Sequence, residues 1–198
     1  MTPPASIGFR LHTGWAMLVA VAAKGDALRV LHRCRMELLP AGRGPFVYHE
    51  AAELPLTDAA QLIESVRRAA EDTARTALKS AVETLKVTGA CLTAGSATVP
   101  DDLAEVLRSH PRLHAAEGAL YAGAIASACA DFEIPLIIVR ERDVWSRASA
   151  NAGMSEADLK AAIDALRKTL GPPWTADHKI ATAAAICQRT GSVFNFEP

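Results

Sequence analysis

The chain has 198 residues, half of them apolar and 22% charged, with a formal net charge of −1 and a pI near 6.6. Length and apolar share suit a single domain over residues 1–198 with a substantial core, and they exclude a low-complexity or collagen-like chain. Near-zero charge gives no global attraction to phosphate backbones, so any nucleic-acid reading rests on local patches.

From Ile7 to Ala23 the pattern is strand-like, Lys24-Gly25-Asp26 offers a tight turn, and Ala27 to Leu38 forms a second arm, which predicts an antiparallel hairpin. In that arm Leu28, Val30, Cys34, Met36 and Leu38 read as one apolar face, opposite Arg29, Arg33, Arg35 and Glu37. The arginine face is expected to be solvated, with an anion-binding stripe as the alternative. Ala41 to Pro55, rich in glycine, proline and polar residues, reads as a loop. Asp58 and Gln61 resemble a capping box. The stripe Leu62, Val66, Ala69, Thr73, Ala77, Ala81 and Leu85 then predicts a helix to about Lys86, with Glu64/Arg68 and Glu71/Arg75 placed to pair.

Val87 to Ala94 predicts a buried central strand ending at Gly95-Ser96, followed by a short helix from Asp101 to His110. His114 to Asp131 predicts a helix whose small residues, Gly118, Ala119, Ala122, Gly123, Ala126 and Ala130, would let it lie close to the sheet. Ile134 to Val139 predicts another buried strand. Ser155 and Asp158 open a helix to about Leu170, Gly171-Pro172-Pro173 stops it, and a last helix runs from near Thr175 to Arg189. This order predicts an α/β mixed sheet, antiparallel at its N-terminal end and then parallel, with helices on both faces.

The four cysteines, Cys34, Cys91, Cys129 and Cys187, lie far apart in apolar segments without a CxxC pair or a zinc-like Cys/His spacing. Buried free thiols in a reducing, cytoplasmic setting are expected. Met1-Thr2-Pro3-Pro4 shows no secretory pattern, and the longest apolar run, Trp15 to Ala23, is too short to span a bilayer.

Two stretches resemble the RuvC-type Holliday-junction resolvases and the wider ribonuclease H-like group. Ile7-Gly8-Phe9-Arg10 followed by Thr13-Gly14-Trp15-Ala16 is similar to that family's first strand, IGID, and the TGWA-like start of its second. Trp174-Thr175-Ala176-Asp177-His178-Lys179-Ile180-Ala181 is similar to the acidic helix start, written DAADALA, that completes the family's active site. Ala115 to Trp145 resembles its small-residue helix, next strand and charged turn. His114 to Gly118 (HxAEG) and Gly171 to Lys179 (GPPW-x-x-D-x-K) are also similar to a bacterial group from which no activity carries over.

The resemblance implies a ribonuclease H-like fold beginning with a hairpin or a meander, since the short Arg10-to-Gly14 connection allows either one bent strand or two. The family's first catalytic aspartate falls on Arg10, and its glutamate at the end of the central strand falls near Ala94 or Gly95. Two-metal nucleases need several carboxylates converging on hard cations, and Asp177 alone cannot hold that arrangement.

His114 and Glu117 share a helical face near the carboxyl edge of the strand ending at Gly95-Ser96, the usual ligand crevice of such sheets. With the last helix packed as in the resembled family, Asp177 or His178 would face the same crevice. His114, Glu117, Asp177, His178 and His12 are thus a candidate ligand site for one divalent metal or an acid/base pair. The simpler reading is structural, with Glu117 and Asp177 in first helical turns, His114 as a cap and Trp174 as an apolar staple. Arg140, Arg142 and Arg147 around Trp145 form a candidate nucleic-acid contact. Glu141 and Asp143 interleave with them, as in a self-paired surface turn.

The expected function is a non-catalytic ribonuclease H-like module binding a protein or nucleic-acid partner through this edge. The alternative is a metal-dependent hydrolase or nuclease using a non-standard His/carboxylate site.

Overall fold

A computed structural model describes residues 3–24, 27–95 and 97–188. β1 (Pro4–His12), β2 (Trp15–Lys24) and β3 (Ala27–Glu37) form an antiparallel meander, so the segment read as one strand is two. Gly14 makes the first reversal at a φ of +84°, where a side chain would be strained. Of the second turn, Gly25 and Asp26 lie outside the described residues, as do Ser96 and Arg189.

Two helices follow, α1 (Val47–Ala51) and α2 (Leu56–Val82), then β4 (Lys86–Ala94), α3 (Leu103–Leu107), α4 (His110–Asp131) and β5 (Leu136–Arg140). A 3₁₀ turn, Glu141–Asp143, leads into α5 (Val144–Ala152), α6 (Glu156–Ala165), α7 (Arg167–Leu170) and α8 (Ala176–Cys187). Among the described residues the sheet has five strands in the order β3-β2-β1-β4-β5, with β1, β4 and β5 parallel.

Strand alternation sends Ile7, Phe9, Leu18 and Leu92 into one core with α2 and α4. It sends Met17, Val19, Val21 and Cys91 into a second core with α5, α6 and α8. α8 is apolar nearly all round and is buried from Ala181 to Cys187, as a helix between a sheet and further helices must be. It lies so close to β1 that a β-carbon on Gly8 would sit 1.8 Å from the Ala181 carbonyl oxygen.

Several local expectations change. The register of β2 against β3 shifts between Ala20 and Val21, leaving Leu31 as an extra residue in β3. The bulge divides the apolar set between faces: Leu28 and Val30 join the α8 core, while Cys34, Met36 and Leu38 join the α2 core. Of the arginines opposite, Arg29 and Arg35 are exposed as expected, and Arg33 is held at the surface by backbone carbonyls. Arg33 donates to the carbonyls of Leu170, Gly171 and Pro173, and Arg35 pairs with Glu37 while stacking 3.9 Å from the Trp15 ring centroid.

Residues read as a loop contain α1, and α2 begins at Leu56 after Pro55 without a side-chain cap. Arg68 pairs with Glu64 as expected, whereas Glu71 pairs with Arg67. α4 begins at His110, with Pro111 in its first turn where no N–H is needed. The face it buries is Leu113, Ala116, Glu117, Leu120, Tyr121 and Ala124, and Gly118 and Gly123 face open space. Among the described residues β5 is an edge strand, with Ile138 exposed. All four cysteines are free, three buried and Cys34 half-buried. Among the described residues no helix is long and apolar enough to cross a membrane.

Candidate functional site

Because β1, β4 and β5 run parallel, their carboxyl ends meet at one edge, where open α/β sheets hold their ligands. A cleft of about 370 Å³ lies there, lined by His12, Thr13, Thr93, Gly95, Arg140 and Arg142 among others. Arg10 and His12 project toward α8, on the same side of the sheet as Gly8.

Arg10 is the centre of an ion-pair network. Its guanidinium contacts Asp177 at the start of α8 and pairs with both carboxylate oxygens of Glu141, at 3.0 and 3.3 Å. His12 Nε2 lies 2.9 Å from the same Asp177 oxygen, and the His12 ring stacks on Trp15 with centroids 4.0 Å apart. Burial works against ionisation of Asp177, yet the hydrogen bond with His12 and the Arg10 charge hold its carboxyl below the usual range.

The divalent ion that the resemblance implies does not fit this arrangement. Arg10 already supplies the cation between the two carboxylates. A divalent ion 4 Å from a guanidinium would be repelled by about 8 kcal/mol at an effective dielectric of about 20. Millimolar binding is worth only about 4 kcal/mol.

His178 does not join the cleft. Its Nδ1 accepts from the Thr175 backbone N–H at 3.2 Å and lies 2.8 Å from the Thr175 hydroxyl, forming a capping box at the start of α8. Burial, then the nearby Arg33 charge, pushes the His178 pKa down, with Asp177 opposing. The folded protein thus holds His178 neutral where the unfolded chain takes up a proton. This contribution to stability is complete above the ordinary histidine value and declines as pH falls through roughly 6.5 toward the lowered folded value. His178→Gln keeps an acceptor at the third helical position and removes the titration. We expect the parent to lose melting temperature more steeply than the variant between roughly pH 7 and 5; equal slopes would refute the assignment.

His114 and Glu117 are brought together, but with partners not foreseen. Since α4 starts at His110, Glu117 lies beyond the first turn, and it is buried rather than facing the dipole. Its Oε1 accepts from the His49 backbone N–H and lies 2.7 Å from His49 Nδ1; its Oε2 lies 3.7 Å from His114 Nδ1. Glu117 and His114 therefore belong with α1 on one side of the sheet, whereas Asp177 and His12 belong with α8 on the other. The five candidate residues do not converge on one point. His49 and His110 were not singled out in the sequence, His49 because its segment read as a loop.

Arg140 and Arg142 line the cleft, while Arg147 and Trp145 lie in α5. Arg140 pairs with Asp143 at 2.6 Å, and the well-exposed Arg142 approaches Asp143 only at 3.6 Å. Trp145 packs against the α8 core, with the Lys160 ammonium 5.3 Å from its ring centroid.

No family model matches the chain, and no curated protein matches it. Among solved structures, RuvC of Thermus thermophilus superposes at a TM-score of 0.51 with 13% identity over 92% of each chain. RuvC of T. thermophilus in complex with a Holliday junction substrate superposes at 0.48, with 15% identity over 94% of this chain and 92% of that one. The chain thus has the ribonuclease H-like fold seen in the RuvC structure of T. thermophilus.

Proposed function

We propose that the chain is a non-catalytic ribonuclease H-like module that binds nucleic acid at the carboxyl edge of its sheet. The observation that carries the reading is Arg10, whose fixed positive charge lies between Asp177 and Glu141 and takes up the carboxylates a divalent ion would need. The binding half rests on the cleft beside it, where Arg142 projects into solvent and Arg140 shares the lining with Thr93 and Gly95. Arginine reaches phosphate oxygens in a fixed fork, which positions a strand without reading its bases. The free cysteines support a reducing, cytoplasmic location.

The test pairs cleavage and binding. Branched DNA and RNA–DNA hybrids are expected to survive incubation with magnesium, and turnover above background that vanishes in Asp177→Ala would overturn the non-catalytic reading. In anisotropy titrations, Arg140→Ala/Arg142→Ala should weaken binding at every sequence and reduce the salt slope by about two. Unchanged binding, or none at low salt, would remove the nucleic-acid reading and leave the edge to a protein partner.

A further inference from the structure

We infer that His49, His110 and His114 form a mononuclear zinc site, oriented by the buried carboxylate of Glu117. His110 and His114 are one helical turn apart at the start of α4, and their Nε2 atoms are 3.2 Å apart. Tetrahedral zinc with nitrogen ligands at about 2.0–2.1 Å separates those nitrogens by about 3.3–3.4 Å. His49, on α1, completes a set whose ligand atoms all lie within 4.8 Å of one another. The ring centroids lie 4.6 to 5.1 Å apart, with the rings edge-on or tilted to one another.

Glu117 is the second, independent observation. Its side chain is only 1% exposed. Oε1 is bonded to His49, whereas Oε2 is buried without a hydrogen-bond partner. A carboxylate behind Nδ1 fixes the proton there and directs the Nε2 lone pair outward, the arrangement that orients metal-bound histidines. Oε2 stands 3.7 Å behind His114 Nδ1, so a small ring movement would give the second ligand the same support. One buried carboxylate would then serve two ligands, and bound zinc would balance its charge.

Imidazole nitrogens select zinc and its neighbours over magnesium and calcium, which take oxygen ligands. Three histidines leave the fourth tetrahedral position to solvent, and the exposure of His110 and His114 keeps it accessible. The site joins α1 to α4 and is independent of what the Arg10 edge binds.

The test uses untagged full-length protein stripped with a chelator, then titrated with zinc against a chromophoric competitor, with melting temperature as a parallel readout. One zinc per chain is expected, with a rise in melting temperature on loading. Glu117→Gln should lower affinity about 10–100-fold. His49→Ala, His110→Ala and His114→Ala should each lower it further and abolish the thermal shift. Because His110 and His114 are exposed, their variants should melt like the metal-free parent and keep the test decisive even if Glu117→Gln fails to fold. Absence of one-to-one binding in the parent, or zinc affinity that survives in all three histidine variants, would overturn the site.

Discussion

Replacing Gly8 by alanine should cost on the order of 4 kcal/mol or more, beyond the usual range for a point substitution. The added β-carbon would lie 1.8 Å from the Ala181 carbonyl oxygen and 2.4 Å from the Ala185 amide nitrogen, and both are backbone atoms. Extra methylenes in a packed core usually cost about 1–3 kcal/mol because side chains can give way. Here neither element can retreat: β1 is fixed on both sides by β2 and β4, and α8 packs against the sheet, α5 and α6. Gly118, in the interior of α4, is the internal control, since a β-carbon there meets nothing within 4 Å. Gly118→Ala should stabilise by about 0.4–1 kcal/mol. Urea unfolding of both variants gives the comparison, and a Gly8→Ala cost under about 1 kcal/mol would mean that α8 packs less closely than described.

Arg10→Asp is the second large expected effect, a loss of about 3–5 kcal/mol in chelator that magnesium or manganese partly restores. Hydrogen bonds to charged groups contribute about 1.5–3 kcal/mol each. The Asp177 contact falls in that range because it is mostly buried, and the Glu141 pair falls below it because Glu141 is half-exposed. The substitution also adds a third carboxylate beside the two left unpaired. A divalent ion at a hundred times its dissociation constant would return about 2.7 kcal/mol. Arg10→Ala, which removes the cation without adding a ligand, should lose less and respond little to metal. Equal losses for the two variants with no metal response would show that Arg10 does not act as the counter-charge of this edge.

The order of the long elements was legible from strand-like apolar runs in residues 4–37 and helical spacing in α2, but the packing fixed the finer pattern: the first run is two strands, and α2 buries Ala70, Ala74 and Leu78 rather than Ala69, Thr73 and Ala77. What failed was local. α1 is five residues long and owes its existence to packing, so the surrounding glycines and prolines set the reading; the helix-compatible run Val47 to Ala52 between two prolines was the available signal. The start of α4 was misplaced although Pro111 marks a first helical turn, and with it went His110 and the true setting of Glu117. An uninterrupted apolar run such as Leu136 to Val139 cannot say whether a further strand will cover its far side. The pairing of Arg10 with both Asp177 and Glu141 was not legible, because it required the parallel register that brings β1 and β5 to one edge.

The extra residue in β3 has a consequence for how this molecule meets its own copies. β3 is the outermost strand at one end of the sheet, and a regular outermost strand offers a row of amides and carbonyls on which another chain can template itself. At Leu31 that row is interrupted, so an incoming strand that matches the spacing of residues 32–37 falls out of step over residues 27–30. Charged Arg29 and Arg33 flank the interruption. This border of the sheet is therefore ill-suited to fibrillar stacking, although the chain is half apolar and carries little net charge to keep its copies apart.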